Sequence, residues 1–288
     1  MRLHPKSLVP VLGSAAVLAA TPVFAATNFV INGDFEDTSG GLNGIGQIQV
    51  VTPVTNASQS TGVTVNGWTK TCLLNCIANV TPGTPSSQGY AFIADQTSAE
   101  TSGIPTAAWA NDFVKFYDPK PSSNGGKYLT IDGDYGQSQM TQTISSLDAG
   151  KTYKLSFEYA GAQQKNYTGA TTQKWIVKGF GPDFEVGPWT NPSQGFTDWK
   201  SYETSFIPSV SGPIDLIFQA WGAMVGGTPG TSTGGALPPF LLLDNVKIVE
   251  GNTPPPPNPT VPGPLPVLGA GVAFSWSRRL RRRLAGRL

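Results

Sequence analysis

The chain has 288 residues and a formal net charge of +1, a near-neutrality that hides three unlike segments. Arg2 and Lys6 make the first 25 residues positive, and six arginines crowd the residues after 277. Between Ala26 and Glu250, eighteen acidic residues face eleven lysines and no arginine, a net −7. An acidic body without arginine excludes ordinary binding to a phosphate backbone. The only histidine is His4, so the rest of the chain has no imidazole to activate a nucleophile or hold a metal.

In chain order, Arg2 and Lys6, the apolar run from Leu8 to Ala20 and the small-residue step Val23-Phe24-Ala25 have the parts of a secretory signal over residues 1–25. A membrane anchor would need about 20 apolar residues, and Pro10 and Gly13 interrupt this run. Residues 26–250 then read as a single all-β domain. The size suits a β-sandwich, and no long segment repeats every 3.6 residues. Asn28-Phe29-Val30-Ile31-Asn32-Gly33-Asp34-Phe35-Glu36 opens it, and Asn66-Gly67-Trp68 follows. Cys72 and Cys76, the only cysteines, are spaced C-x3-C. In an exported chain this predicts a small loop-closing disulfide worth about 2 kcal/mol at most. Zinc would need two further soft ligands, and a redox dithiol normally uses C-x-x-C. Residues 77–118 match no pattern.

Period-two alternation marks strands at Thr141-Gln142-Thr143-Ile144, at Tyr153 to Tyr159 and at Ile214 to Phe218. In the second, Tyr153, Leu155, Phe157 and Tyr159 share one face, and Lys154, Ser156 and Glu158 share the other. Turn-forming Asp132-Gly133-Asp134, Asp148-Ala149-Gly150 and the 208–213 stretch separate the strands. Sugar recognition needs a flat aromatic face beside hydroxyl-binding polar groups. Trp109, Trp189 and Tyr135 are the carbohydrate-binding candidates, because each has Asn or Asp close by in a turn-rich stretch. Trp68, Trp175 and Trp199 lie in alternating runs and are expected in the core, whereas Trp221 is left unassigned. Asp34/Glu36 and Asp132/Asp134 are carboxylate pairs of the kind glycoside hydrolysis uses. On a strand, however, residues i and i+2 share a face by default, and beside glycine such pairs serve turns or calcium. The chain is therefore expected not to be an enzyme.

Several blocks, in order, resemble a galactose-binding-like jelly roll of the carbohydrate-binding-module type. They are the 28–36 opening, the Gly67-Trp68 step, Gly126-Lys127-Tyr128-Leu129 leading to Gln142-Thr143-Ile144, the 149–157 centre, and the closing Leu242-Leu243-Asp244-Asn245-Val246-Lys247-Ile248. The resemblance implies a jelly-roll β-sandwich whose first and last strands are neighbours. It also implies a structural calcium, with Glu36 and Asp244 as side-chain ligands and a carbonyl at Asn32 or Gly33 assisting. Two carboxylates brought together would otherwise repel, and calcium takes six to eight oxygen ligands.

Past Glu250 the order of parts changes again. Residues 251–263 are a proline-rich, extended linker. Residues 264–288 are a tail with a short apolar run to Trp276 and then the arginines, a stop-transfer pattern. This order resembles the PEP-CTERM sorting tails, which implies processing by an exosortase-like enzyme and transient membrane association. Gly263 stands where the usual motif has glutamate. The sequence thus predicts an exported, surface-sorted, non-catalytic protein that binds polysaccharide, in the cell's exopolysaccharide or envelope. Two alternatives remain. One is a structural matrix protein making protein contacts without glycan. The other is a glycan-cleaving enzyme using Asp132 or Asp134 as its acid.

Overall fold

The structure is a computed structural model that describes residues 27–41, 43–48, 62–73, 90–97, 115–134, 136–228 and 239–251. The expected signal and sorting tail, together with Trp109, Tyr135 and Cys76, lie outside the described residues. The strands among them are, in chain order, β1 (Thr38–Ser39), β2 (Gly46–Gln47), β3 (Thr64–Val65), β4 (Thr69–Cys72), β5 (Ala91–Asp95), β6 (Lys127–Asp132) and β7 (Ser138–Leu147). There follow β8 (Tyr153–Gln163), β9 (Thr171–Lys178), β10 (Phe184–Asn191), β11 (Lys200–Phe206), β12 (Gly212–Met224) and β13 (Pro239–Glu250). They form a five-stranded sheet in the order β10-β9-β12-β7-β4 and a six-stranded sheet in the order β11-β8-β13-β6-β5-β2. A two-stranded ribbon, β1-β3, stands beside them. Every pairing between named strands is antiparallel, and the strand order crosses repeatedly between sheets, as in a jelly roll.

The expected alternation builds the interior. On β8, Tyr153, Leu155 and Phe157 are buried while Lys154, Ser156 and Glu158 are half-buried. From the other sheet, Phe218 meets Phe157 edge-on at 5.0 Å and Trp175 at 5.9 Å. Such ring pairs are worth about 0.5–1.5 kcal/mol each beyond the area they bury. Trp68 and Trp175 are core residues, as the alternation predicts.

The two ends of the domain meet. Phe29 N–H donates to Ile248 O at 2.8 Å, Val246 N–H donates to Gly33 O at 2.9 Å, and Asn28 bridges Val249. Gly33 has a steric reason to be glycine, since a Cβ there would lie 2.0 Å from Val246 O. Gln142, on β7, adds a two-point clamp. Its amide oxygen accepts from Ile31 N and its amide nitrogen donates to Ile31 O, both at 2.8 Å.

One feature exceeds the simple alternation. Residues Phe240 to Leu243 are buried without a break. Leu241 and Leu243 enter the inter-sheet core, while Phe240 and Leu242 join a second cluster on the opposite face of the six-stranded sheet. Phe116, fully buried and 5.3 Å from the Phe240 ring, covers that face with Phe92 and Tyr128, and Trp199 packs against them. Part of the stretch unread in the sequence is thereby a lid of core on an outer sheet face.

Candidate functional site

Among the described residues, the other sheet keeps an exposed outward face. On the outward face of the five-stranded sheet, Thr69, Thr71, Thr143, Glu185 and Asp215 are exposed, and Gln139, Thr141, Lys174, Gln219 and Trp221 are half-buried. Register aligns them in rows across the strands. Gln139 faces both Thr71 and Gln219, and Thr141 faces both Thr69 and Ile217. Trp221 faces Lys174, whose ammonium lies 4.7 Å from the indole centroid and 2.6 Å from Glu185 Oε1. The face therefore joins a flat indole, two amides and a row of hydroxyls, which are the groups that hold a sugar ring and its hydroxyls.

Trp221 is the residue the sequence left unassigned. The signal was present: the alternation of Ile214 to Phe218 carried three residues further places 219 and 221 on the polar face with 215 and 217. Trp189, expected on a binding rim, is instead turned inward. Its ring packs on Tyr159 at 4.9 Å, and its Nε1 is buried with no hydrogen-bond partner among the described residues. The reason is register. Trp189 pairs with Gln173, itself fully buried, so both point between the sheets. Trp199 lies against the second cluster and donates Nε1–H to Lys120 O at 2.9 Å.

The carboxylate pairs separate by role. Asp132 is buried, with Oδ1 accepting from Asp134 N at 2.8 Å and Oδ2 from Gly136 N at 2.9 Å. It caps its own turn, and Asp134 is also buried. Neither is placed as an exposed acid beside the open face.

Asp244 has a different setting. It is fully buried, accepts hydrogen bonds from Ser122 Oγ and from Asn245 N at 2.7 Å, and is opposite Glu158 in register. Burial pushes its carboxyl up to about 7. The bonds from Ser122 and Asn245 pull against that shift, and the negative charges of Glu158 and Asp34 add to it. For Glu158, burial also acts upward, yet bonds from Ser123 and Asn245 and the charge of Lys247 hold its carboxyl below the ordinary value. Glu36 is on the other side of the same 122–127 turn. Its Oε1 accepts from Lys127 N at 2.6 Å, and it lies close over Gly126, where a Cβ would push the Glu36 carboxylate aside.

Of the remaining expected ligands, Gly33 O is taken by Val246 N, and Asn32 O accepts from Phe35 N and Trp68 Nε1. Among the described residues no three His, Cys, Asp or Glu side chains form a metal-holding group. The carboxylate of Asp244 and the hydroxyl of Ser122 are hard oxygen donors of the chemical kind calcium takes.

No family model matches the chain, and no curated protein matches it. Among solved structures it is similar to TmCBM61 in complex with β-1,4-galactotriose, at 13% identity and a TM-score of 0.36, over 78% of this chain and 100% of that one. It is also similar to the CBM22-1 xylan-binding domain of Paenibacillus barcinonensis Xyn10C, at 10% identity and a TM-score of 0.31, over 80% and 97%. A third is the K1 cleaved adhesin domain of Lys-gingipain from Porphyromonas gingivalis, at 10% identity and a TM-score of 0.35, over 65% and 93%. At these identities and scores they say nothing of this chain's ligand. The strand order of the chain itself defines it as a jelly-roll β-sandwich.

Proposed function

We propose that this is an exported, non-catalytic polysaccharide-binding protein whose glycan lies on the outward face of the five-stranded sheet. The observation that carries this reading is the placement of Trp221 on an open face among Gln139, Thr141 and Gln219. A sugar's C–H face stacks on the indole, and its hydroxyls exchange water for the amides and threonines. Export and surface sorting rest on residues 1–25 and 264–288, with an exosortase-like enzyme as the processing partner and the 251–263 linker as a spacer. Trp109 and Tyr135 remain candidates for extending the site. Cys72, at the end of β4, and Cys76 are proposed as a loop-closing disulfide.

The same reading keeps a structural calcium beside Asp244, with Glu36, Asn32 and Gly33 as expected ligands and Asp34 and Glu158 as nearby negative charge. Calcium there would neutralise the buried carboxylate and brace the 122–127 turn.

Affinity electrophoresis of the full chain through gels containing neutral or acidic polysaccharides tests the glycan reading. Retardation in at least one polymer, lost in Trp221→Ala and retained in Trp189→Phe, is the expected outcome. Equal mobility of wild type and Trp221→Ala in every polymer would remove it.

A further inference from the structure

The polar groups around Trp221 include a charged pair. Lys174 holds its ammonium over the indole while Glu185, half-exposed, holds the ammonium from the neighbouring strand. Four residues along β9, on the same face, Lys178 is joined to Asp183 at 3.7 Å, beyond hydrogen-bond length. A strand advances about 3.3 Å per residue, so the two lysines stand about 13 Å apart along this face.

A sugar that stacks on Trp221 must meet the Lys174 ammonium, because that group occupies one approach to the ring. A hydroxyl offers it a neutral acceptor, whereas a carboxylate offers a charge-assisted bond about twice as strong. Glu185 is half-exposed and hydrates readily once released, and the sugar carboxylate takes its place on the less exposed Lys174. Lys178, more loosely paired, is placed for a carboxylate several sugars further along the polymer. The net negative charge of the body opposes this only weakly at contact, because charges beyond about 8 Å are screened at physiological salt.

We propose that the ligand of this face is an acidic, uronate-bearing polysaccharide, read by Lys174 beside Trp221 and by Lys178 further along β9. The proposal rests on the glycan-binding reading above and names the ligand class within it.

The test compares the full chain in gels of polygalacturonate and of the same polymer with its carboxylates methyl-esterified. Wild type is expected to bind the acid form more tightly and to weaken as salt rises. Lys174→Gln should bind polygalacturonate about tenfold more weakly and the ester within twofold of wild type, and Lys174→Arg should restore the preference. Equal binding to both polymers, or an unchanged Lys174→Gln, overturns the charge reading while leaving glycan binding in place. Retardation in the ester alone does the same. No retardation in either polymer, nor in neutral galactan, removes the glycan reading and this proposal with it.

Discussion

Lys70 shows how one residue can set a pH response. It is buried on β4, its ammonium donates to Ile48 O, and burial lowers its pKa to about 7. In the unfolded chain the same amine titrates near 10.5. Between those values the unfolded state binds the extra proton, so this group makes stability rise as pH rises from about 7 towards 10. The melting temperature of wild type should therefore climb relative to Lys70→Met across pH 7 to 9.5. Parallel curves for the two proteins would mean that the amine is hydrated in the fold. Gly33 gives a second prediction at this scale. Adding a methyl group against Val246 O should destabilise Gly33→Ala by about 2–4 kcal/mol in denaturant unfolding.

At the scale of elements, the strands themselves were the legible part. The alternation in 153–159 gave β8 its inward and outward faces, because one face of that segment packs and the other is hydrated. The Gln142 clamp was readable only as a motif letter. Its task, holding the segment at Ile31 to β7, needs the fold to be seen. Gln142→Ala should cost about 1–3 kcal/mol, since both backbone groups of Ile31 lose their partners, and hydrogen exchange should quicken in residues 28–33 before the rest. Uniform exchange changes across β8 and β13 would instead mean that the clamp is not local.

The site was harder to read than the strands because pairing, not composition, decides which way a tryptophan faces. Polar neighbours made Trp189 resemble a rim residue, yet its pairing with Gln173 turns it inward, while Trp221 emerges beside Lys174. Phe116 could not be identified as a cover for the six-stranded sheet, since nothing near it in sequence shares its periodicity with Phe240.

For the molecule as a whole, the domain closes on its own ends, with the chain entering at Asn28 beside its exit near Val249. Calcium at Asp244 would act there, between the last strand and the 122–127 turn. Chelation should lower the melting temperature by several degrees, and Asp244→Asn should abolish the difference between calcium and chelator. Identical melting of wild type with and without chelator would remove the metal. Among the described residues the six-stranded sheet is covered on its outer face, so the proposed glycan is assigned to the outward face of the five-stranded sheet. Nuclear magnetic resonance titration of the full chain with galacturonate and galactose oligosaccharides tests that assignment most directly. Shifts should centre on the Trp221 indole N–H and the side-chain amides of Gln139 and Gln219. Shifts confined to residues away from the outward face of the five-stranded sheet, or none with either oligosaccharide, would contradict it.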